Sequence, residues 1–164
     1  MLRLYHGSIV EVRKPLVGVG RRKVDFGQGF YMTRVRRQAE SWAKAVAGRR
    51  PGTIAVLNIY QFDGEKAMQL AAERYKKFEQ YDLEWLEYVI DSRKGGRRQL
   101  SYDVVEGGVA NDNVIDTVED FENGIITAEQ ALGQLVYKKV NHQICIHNQK
   151  IIDECVQFIG SMKL

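Results

Sequence analysis

The sequence is poor in the residues that mark several large protein classes. It has two cysteines among 164 residues, too few for a disulfide framework, and Cys145 and Cys155 lack the spacing of a metal-binding or redox pair. No apolar run approaches the length of a membrane span, and the opening Met-Leu-Arg-Leu-Tyr-His is too short and too polar for the apolar region of a signal peptide. These absences predict one globular domain, residues 1–164, in a reducing cytoplasm and away from membranes.

Motifs of the common nucleotide-binding folds are missing as well. There is neither a Gly-x-Gly-x-x-Gly fingerprint nor the lysine of a phosphate-binding P-loop. No group of histidine, cysteine and carboxylate residues has the spacing of metal ligands, so we predict no metal site.

Positive charge is concentrated in three short segments, although the net charge is only +3. The segments are 21–23, 34–37 and 93–98, and the first two lie on either side of Asp-Phe-Gly-Gln-Gly-Phe-Tyr-Met-Thr at 25–33. Each segment alone is readily explained as solvated surface. A basic rim can attract phosphates or nucleic acid, and the two segments that bracket the glycine-rich stretch favour a phosphate-bearing ligand.

The order of secondary structure indicates the α+β class. Strands are predicted near both ends of the chain with helices between them, rather than in regular alternation. The predicted strands are 2–8, 29–33, 53–60, 102–105, 142–147 and 155–162. The predicted helices are 35–47, 68–92 and 127–136. The apolar stripe of the first consists of Ala39, Trp42, Ala43 and Val46. The second is one helical region with a break near Asp82, and the third begins with a capping box from Thr127 to Gln130.

Taken one at a time, the polar and aromatic residues of these segments have ordinary structural explanations. His6 at a strand end can cap a turn or fill a core, or it can bond a sugar hydroxyl. Tyr31 can be a half-buried strand aromatic or can stack on a flat ring, and Trp42 fits a helix core. The glycine next to Phe30 and Tyr31 suggests that a ligand approaches the backbone there.

Three stretches taken together resemble the NAD-binding core of ADP-ribosyltransferases. They are Tyr-His-Gly-Ser at 5–8, Gly-Gln-Gly-Phe-Tyr-Met-Thr at 27–33 and Arg-Gln-Ala-Glu-Ser-Trp at 37–42. The resemblance is to the His-Tyr-Glu group, which includes diphtheria toxin and the poly(ADP-ribose) polymerases. Nearly the whole chain also resembles an uncharacterised bacterial family placed beside these transferases. The resemblance implies a split β-sheet core with flanking helices.

The resemblance also implies roles for individual residues. His6 and Gly7 match the pair that holds the adenosine ribose and the nicotinamide amide of NAD, with Ser8 beside them. Tyr31 matches the motif tyrosine that stacks on nicotinamide, and Trp42 falls where a second aromatic belongs. Gly29 belongs to the loop that closes over the nucleotide.

The expected chemistry is cleavage of the nicotinamide–ribose bond of NAD, which is consumed as a substrate. Positive charge develops on the ribose, so the main requirement is a fixed anion or dipole aimed at that charge. The related transferases place a Glu at the start of a late strand for this purpose, whereas this sequence has Gln143 there. Asp112 is a candidate replacement carboxylate, and Glu106 is expected to be an exposed loop residue.

Three interpretations follow. The first is an enzyme that transfers ADP-ribose to a protein or nucleic acid acceptor, in bacterial conflict or regulation, or that releases ADP-ribose to water as an NAD glycohydrolase. The second is a catalytically weak or inactive NAD-binding module, for which Gln143 is the signature. The third is a nucleic-acid-binding protein that uses the basic segments, and the lack of aromatics interleaved on a polar sheet face ranks it last.

Overall fold

A computed structural model describes residues 1–110, 114–136, 138 and 141–164. The fold is α+β, as predicted, and none of the helices described is long and apolar enough to cross a membrane. The strands are β1 (Leu2–Ser8), β2 (Phe30–Met32), β3 (Val56–Phe62), β4 (Tyr75–Lys77), β5 (Val104–Gly107), β6 (Gln143–Ile146) and β7 (Val156–Lys163). The helices are α1 (Arg36–Gly48), α2 (Gly64–Ala71), α3 (Leu83–Lys94), α4 (Ile115–Glu122), α5 (Ala128–Leu135) and α6 (Gln149–Cys155).

The strands form two sheets that meet at one point. The first sheet has the order β1-β3-β7 and is antiparallel, and the second has the order β2-β6-β5-β4, in which only β4 and β5 run parallel. A single bridge joins β1 to the end of β2: Tyr5 N–H donates to the Thr33 carbonyl (2.8 Å), and Thr33 N–H donates to the Tyr5 carbonyl (2.9 Å). Beyond this bridge β1 and β2 belong to different sheets.

Each face of the second sheet carries its own hydrophobic core. Phe30, Met32 and Ile144 point to one side and pack with β1, β3 and helices α2 and α6. Val105 and Cys145 point to the other side and pack with helices α3, α4 and α5. The alternation of side chains along a strand explains this division, because neighbouring residues face opposite sides of the sheet.

The prediction of one helical region over 68–92 is wrong for residues 75–77, which form β4. Helix α2 ends at Ala71, and the next residue, Ala72, has the left-handed φ of 47°. The chain then forms β4, which pairs in parallel with β5, so a tertiary pairing overrides the local helical pattern. The break near Asp82 is confirmed: its side chain accepts a hydrogen bond from the Trp85 N–H (2.8 Å) and caps α3.

Other elements agree with the sequence to within a few residues. The capping box is confirmed, because the Thr127 hydroxyl accepts from the Gln130 N–H and the Gln130 side chain accepts from the Thr127 N–H. Helix α4 was not predicted. The apolar stripe of α1 is only partly right, because Ala39 and Ala43 are buried while the Trp42 residue is 43% exposed.

Candidate functional site

Gly7 lies where β1 separates from β2, with one side of its backbone against helix α1. A Cβ at this position would overlap the carbonyl oxygen of Ala39 and lie 2.9 Å from the amide nitrogen of Ala43, so only glycine allows this close packing. Tyr5 directs both its N–H and its C=O at Thr33. Because these groups alternate along a strand, Gly7 directs its own N–H and C=O to the same side, away from β3 and into the gap between the sheets.

The His6 imidazole is held in one tautomer. Its Nδ1 lies 2.7 Å from the Tyr31 carbonyl oxygen, which can only accept, so Nδ1 carries the proton. The ring packs against Phe30 with a centroid distance of 4.6 Å. Burial lowers the pKa of His6, with the bond to the Tyr31 carbonyl opposing the shift, and the neutral ring leaves Nε2 as an acceptor. Among the described residues, Nε2 has no hydrogen-bond partner.

The glycine-rich stretch before β2 is packed on β6 and on its own tyrosine. Gly27 has the left-handed φ of 80° that favours glycine. A Cβ at Gly29 would lie 2.5 Å from the Cys145 sulfur, so this glycine permits close approach to β6. The Tyr31 hydroxyl donates to the Gly27 carbonyl (2.7 Å) and accepts from the Phe26 N–H (3.0 Å). The loop therefore wraps around Tyr31.

Tyr31 and Trp42 have different surroundings. The Tyr31 ring packs against the core that contains Cys145, and burial raises the pKa of its hydroxyl well above the usual range. The Trp42 ring is exposed on α1, with the guanidinium carbons of Arg21 and Arg49 at 5.2 and 5.9 Å from its centroid. Among the described residues, no ring-to-ring contact joins Tyr31 and Trp42.

Gln143 is the first residue of β6 and is buried on the same face of the sheet as Cys145. Its Nε2 donates to the Gly108 carbonyl oxygen (3.1 Å) and to an oxygen of Asp25 (3.4 Å). The amide therefore lies against a carboxylate that belongs to the glycine-rich stretch.

Asp25 is the carboxylate that sequence reasoning missed. One of its oxygens accepts from the Ala110 N–H (2.8 Å), and the other lies 3.3 Å from Nη1 of Arg93. Burial raises the pKa of Asp25, while the Ala110 N–H, the charge of Arg93 and the Gln143 amide oppose the shift. The only signal in the sequence was its place at the start of the glycine-rich stretch.

Glu106 is not the exposed loop residue that was expected. It is 2% exposed, within β5, because the strand extends to Gly107 rather than ending at residue 105. Its carboxylate accepts from Arg34 Nη2 (2.9 Å), His142 Nε2 (2.9 Å) and the Tyr75 hydroxyl (3.0 Å). Burial alone would raise its pKa, but these partners together lower it.

Glu106 lies on the opposite face of the sheet from Gln143, because it is paired with Ile144 rather than with Gln143. Its partners come from β4, from the residue after Thr33 and from the residue before β6. The cluster therefore fixes the ends of the strands next to Gln143.

Two further candidates from the sequence complete the set. Ser8 ends β1, and its hydroxyl accepts from the Val10 N–H at 3.4 Å. Asp112 lies outside the described residues. Within the described residues, no three histidine, cysteine or carboxylate side chains come close enough to hold a metal ion.

A family model described as "Protein of unknown function (DUF3990)" matches residues 2–158. The chain belongs to the DUF3990 family. Comparisons with curated proteins and with solved structures gave no match. The description of DUF3990 assigns no chemistry, so function has to be argued from the arrangement of the residues.

The fold of this DUF3990 chain brings some of the predicted residues together. His6 bonds the Tyr31 backbone, Gly29 packs on β6, and Gln143 opens the strand that pairs with β2. The arrangement offers a hydrogen-bond acceptor at His6, a free strand edge at Gly7 and a carboxylate–amide pair at Gln143.

Proposed function

We propose that this chain cleaves the nicotinamide–ribose bond of NAD and transfers ADP-ribose to a macromolecular acceptor, on an ADP-ribosyltransferase-like split-sheet core. The observation that carries the proposal is the separation of the sheets after the Tyr5–Thr33 bridge. It leaves the backbone N–H and C=O of Gly7 unpaired by β2, while His6 bonds the Tyr31 carbonyl of β2 and Gln143 begins β6, the strand beside β2.

The first side of the gap supports recognition of the nucleotide. The carboxamide of nicotinamide has one donor group and one acceptor, and the N–H and C=O of Gly7 present the matching pair on a free strand edge. His6 Nε2, an acceptor fixed by the Nδ1 bond, suits a ribose hydroxyl.

The second side supports the chemistry. As the C1′–N bond of NAD breaks, its electron pair leaves with nicotinamide and the ribose becomes an oxocarbenium-like cation. An acceptor oxygen or nitrogen then bonds C1′ and gives up its proton. We propose that Asp25 supplies the negative charge that Gln143 lacks, since its carboxylate lies 3.4 Å from the Gln143 amide.

The stacking of nicotinamide between Tyr31 and Trp42 stays a prediction. Tyr31 lies beside the gap, whereas Trp42 is on the outer side of α1, so the two aromatics are tested separately. Replacing Tyr31 with Ala is expected to weaken NAD binding by at least about 1 kcal/mol.

An NAD-binding module without turnover is the second candidate. The observation that favours it is the engagement of the Gln143 amide by Asp25 and Gly108, which leaves a dipole where the transferases have a free carboxylate. The same site could also deliver ADP-ribose to water.

One experiment separates these functions. The protein is incubated with labelled NAD and a cell lysate, and both free nicotinamide and labelled macromolecules are followed. Labelled macromolecules support transfer, nicotinamide alone indicates hydrolysis, and saturable binding without either product indicates the module. Calorimetry with His6→Ala and Tyr31→Ala locates the site, with Gln157→Ala as an exposed control. Unchanged NAD affinity in both folded variants would contradict the site.

A further inference from the structure

Helix α1 presents an exposed tryptophan among cations that form no ion pair with the described carboxylates. The α1 surface consists of Arg21, Arg37, Trp42, Lys44 and Arg49, all of them exposed. Within the described part of the chain, no ion pair involves any of its four cations. Arg21 and Arg49 both lie against the indole ring. From residue 34 to residue 53 the sequence contains six basic residues and one acidic residue.

Several other basic side chains of the molecule are neutralised. Arg34 pairs with Glu106, Arg36 with Glu40, and Arg93 with Asp25. The positive charge of the α1 surface is therefore left for a partner that carries negative charge.

The helix spaces these groups in two rows. Arg37 and Lys44 are seven residues apart, as are Trp42 and Arg49, so the members of each pair lie about 10 Å apart on one side of α1. The two rows are about 140° apart around the helix axis and flank its exposed side, which carries Ser41 and Ala45. A dinucleotide such as NAD has two phosphates, which would leave part of this charge unpaired. The extended surface fits a chain of phosphates, and the exposed indole fits an unpaired base that stacks on it.

We propose that the α1 surface binds single-stranded nucleic acid, with phosphates on its cations and a base on Trp42. The inner face of α1 packs directly on Gly7, so the bound strand lies one helix away from the proposed NAD site. That the strand serves as acceptor of ADP-ribose rests on the proposed function, whereas the binding itself does not.

The test is fluorescence anisotropy with a labelled single-stranded oligonucleotide of about 20 nucleotides, long enough to cover one such site. The same sequence as a duplex and a polyglutamate chain of similar charge are the comparison ligands. We expect the single strand to bind most tightly, with a log–log salt slope of about −3 if four phosphate contacts form. Equal affinity for polyglutamate or for the duplex would overturn the proposal.

Variants locate the contact. Trp42→Ala is expected to weaken oligonucleotide binding by roughly tenfold or more, and Arg37→Ala with Lys44→Ala is expected to flatten the salt slope by about 1.4. The matched control is Lys94→Ala with Arg97→Ala, which removes the same charge from another exposed segment and is expected to change little.

NAD binding in the same variants keeps this proposal separate from the proposed function. If Arg37→Ala/Lys44→Ala weakens oligonucleotide binding and leaves NAD affinity unchanged, the result supports nucleic-acid binding at the α1 surface. This holds even if no NAD is consumed. Loss of binding in the control variant alone, or displacement of the oligonucleotide by NAD in direct competition, would show that the strand does not bind here.

Discussion

The contact between Gln143 and Asp25 can be tested by exchanging the amide and the acid. In Gln143→Glu, the donor to the Gly108 carbonyl is lost and a second carboxylate faces Asp25. Two ionised carboxylates 3.4 Å apart would repel by about 5 kcal/mol at an effective dielectric constant of about 20. A proton is therefore expected to be shared between them, and the pKa of the pair is expected to rise.

The single variants should each be less stable than the wild type. Gln143→Glu is expected to lose about 2–4 kcal/mol near pH 8, because it combines an unsatisfied carbonyl with like charges. Asp25→Asn should lose about 1–3 kcal/mol, because Arg93 loses its nearer carboxylate and retains only Glu119 at 3.6 Å.

The double variant Asp25→Asn/Gln143→Glu should be more stable than the sum of the two losses predicts. The change at position 25 removes the like charge, and the amide nitrogen can donate to the carboxylate at position 143. It does so at the cost of the Ala110 bond, because the Ala110 N–H and Gln143 share one oxygen of Asp25. We expect a coupling of at least about 2 kcal/mol in favour of the double variant.

Urea unfolding of the four proteins at pH 5 and pH 8 measures this cycle. In Gln143→Glu the folded state holds a proton that the unfolded state releases near pH 4, so its free energy of unfolding should fall as the pH rises from about 4 through the raised pKa. The exposed Gln157→Glu is the control for added charge. Additive losses within about 0.5 kcal/mol would refute a direct contact between these side chains.

The Asp25→Asn variant of this cycle also tests the proposed role of Asp25 in catalysis. If Asp25 supplies the negative charge in NAD cleavage, Asp25→Asn should lower the rate of nicotinamide release roughly a hundredfold with little change in NAD affinity. A variant that binds NAD normally and turns it over at the wild-type rate would remove Asp25 from the reaction.

Two further predictions concern stability. Gly7→Ala should cost roughly 2 kcal/mol or more in thermal or urea unfolding, because the new Cβ meets the Ala39 carbonyl. Gly160→Ala should be close to neutral, because a Cβ there would meet no atom of the described residues within 4 Å. Glu106→Gln should lower the free energy of unfolding at neutral pH, because the lowered pKa of Glu106 means that its ionised carboxylate stabilises the folded state. In the wild type this contribution is lost as the pH falls below about 4.5 and through the lowered pKa, so the variant should show a weaker dependence of stability on pH in that range. An unchanged acid-unfolding profile in Glu106→Gln would contradict this account.

The sequence was most informative where local chemistry decides structure. The capping box at Thr127 and the β-branched segments that form β3 and β6 needed no knowledge of distant contacts. By contrast, β4 exists because Tyr75–Lys77 finds β5, a pairing that the local pattern does not contain.

The same reason explains what was missed in the candidate site. His6 and Gly7 carry a recognisable local motif, but the burial of Glu106 and the contacts of Asp25 depend on which strands and loops lie next to them. Trp42 illustrates the converse: its position in an apolar helical stripe predicted a core residue, and the cations around it lie on an outer surface.

The order of the strands also bears on when the protein can fold during its synthesis. β3 pairs with β7, so Val56 cannot find its partner before Lys163 has been synthesised. β2 likewise cannot pair before β6 has been synthesised. Strands β2 and β3 therefore each leave the ribosome with an edge whose partner strand is synthesised about a hundred residues later, and such non-local pairing is slow. During translation, the protection of those early strands from aggregation falls to chaperones or to transient structure in the nascent chain.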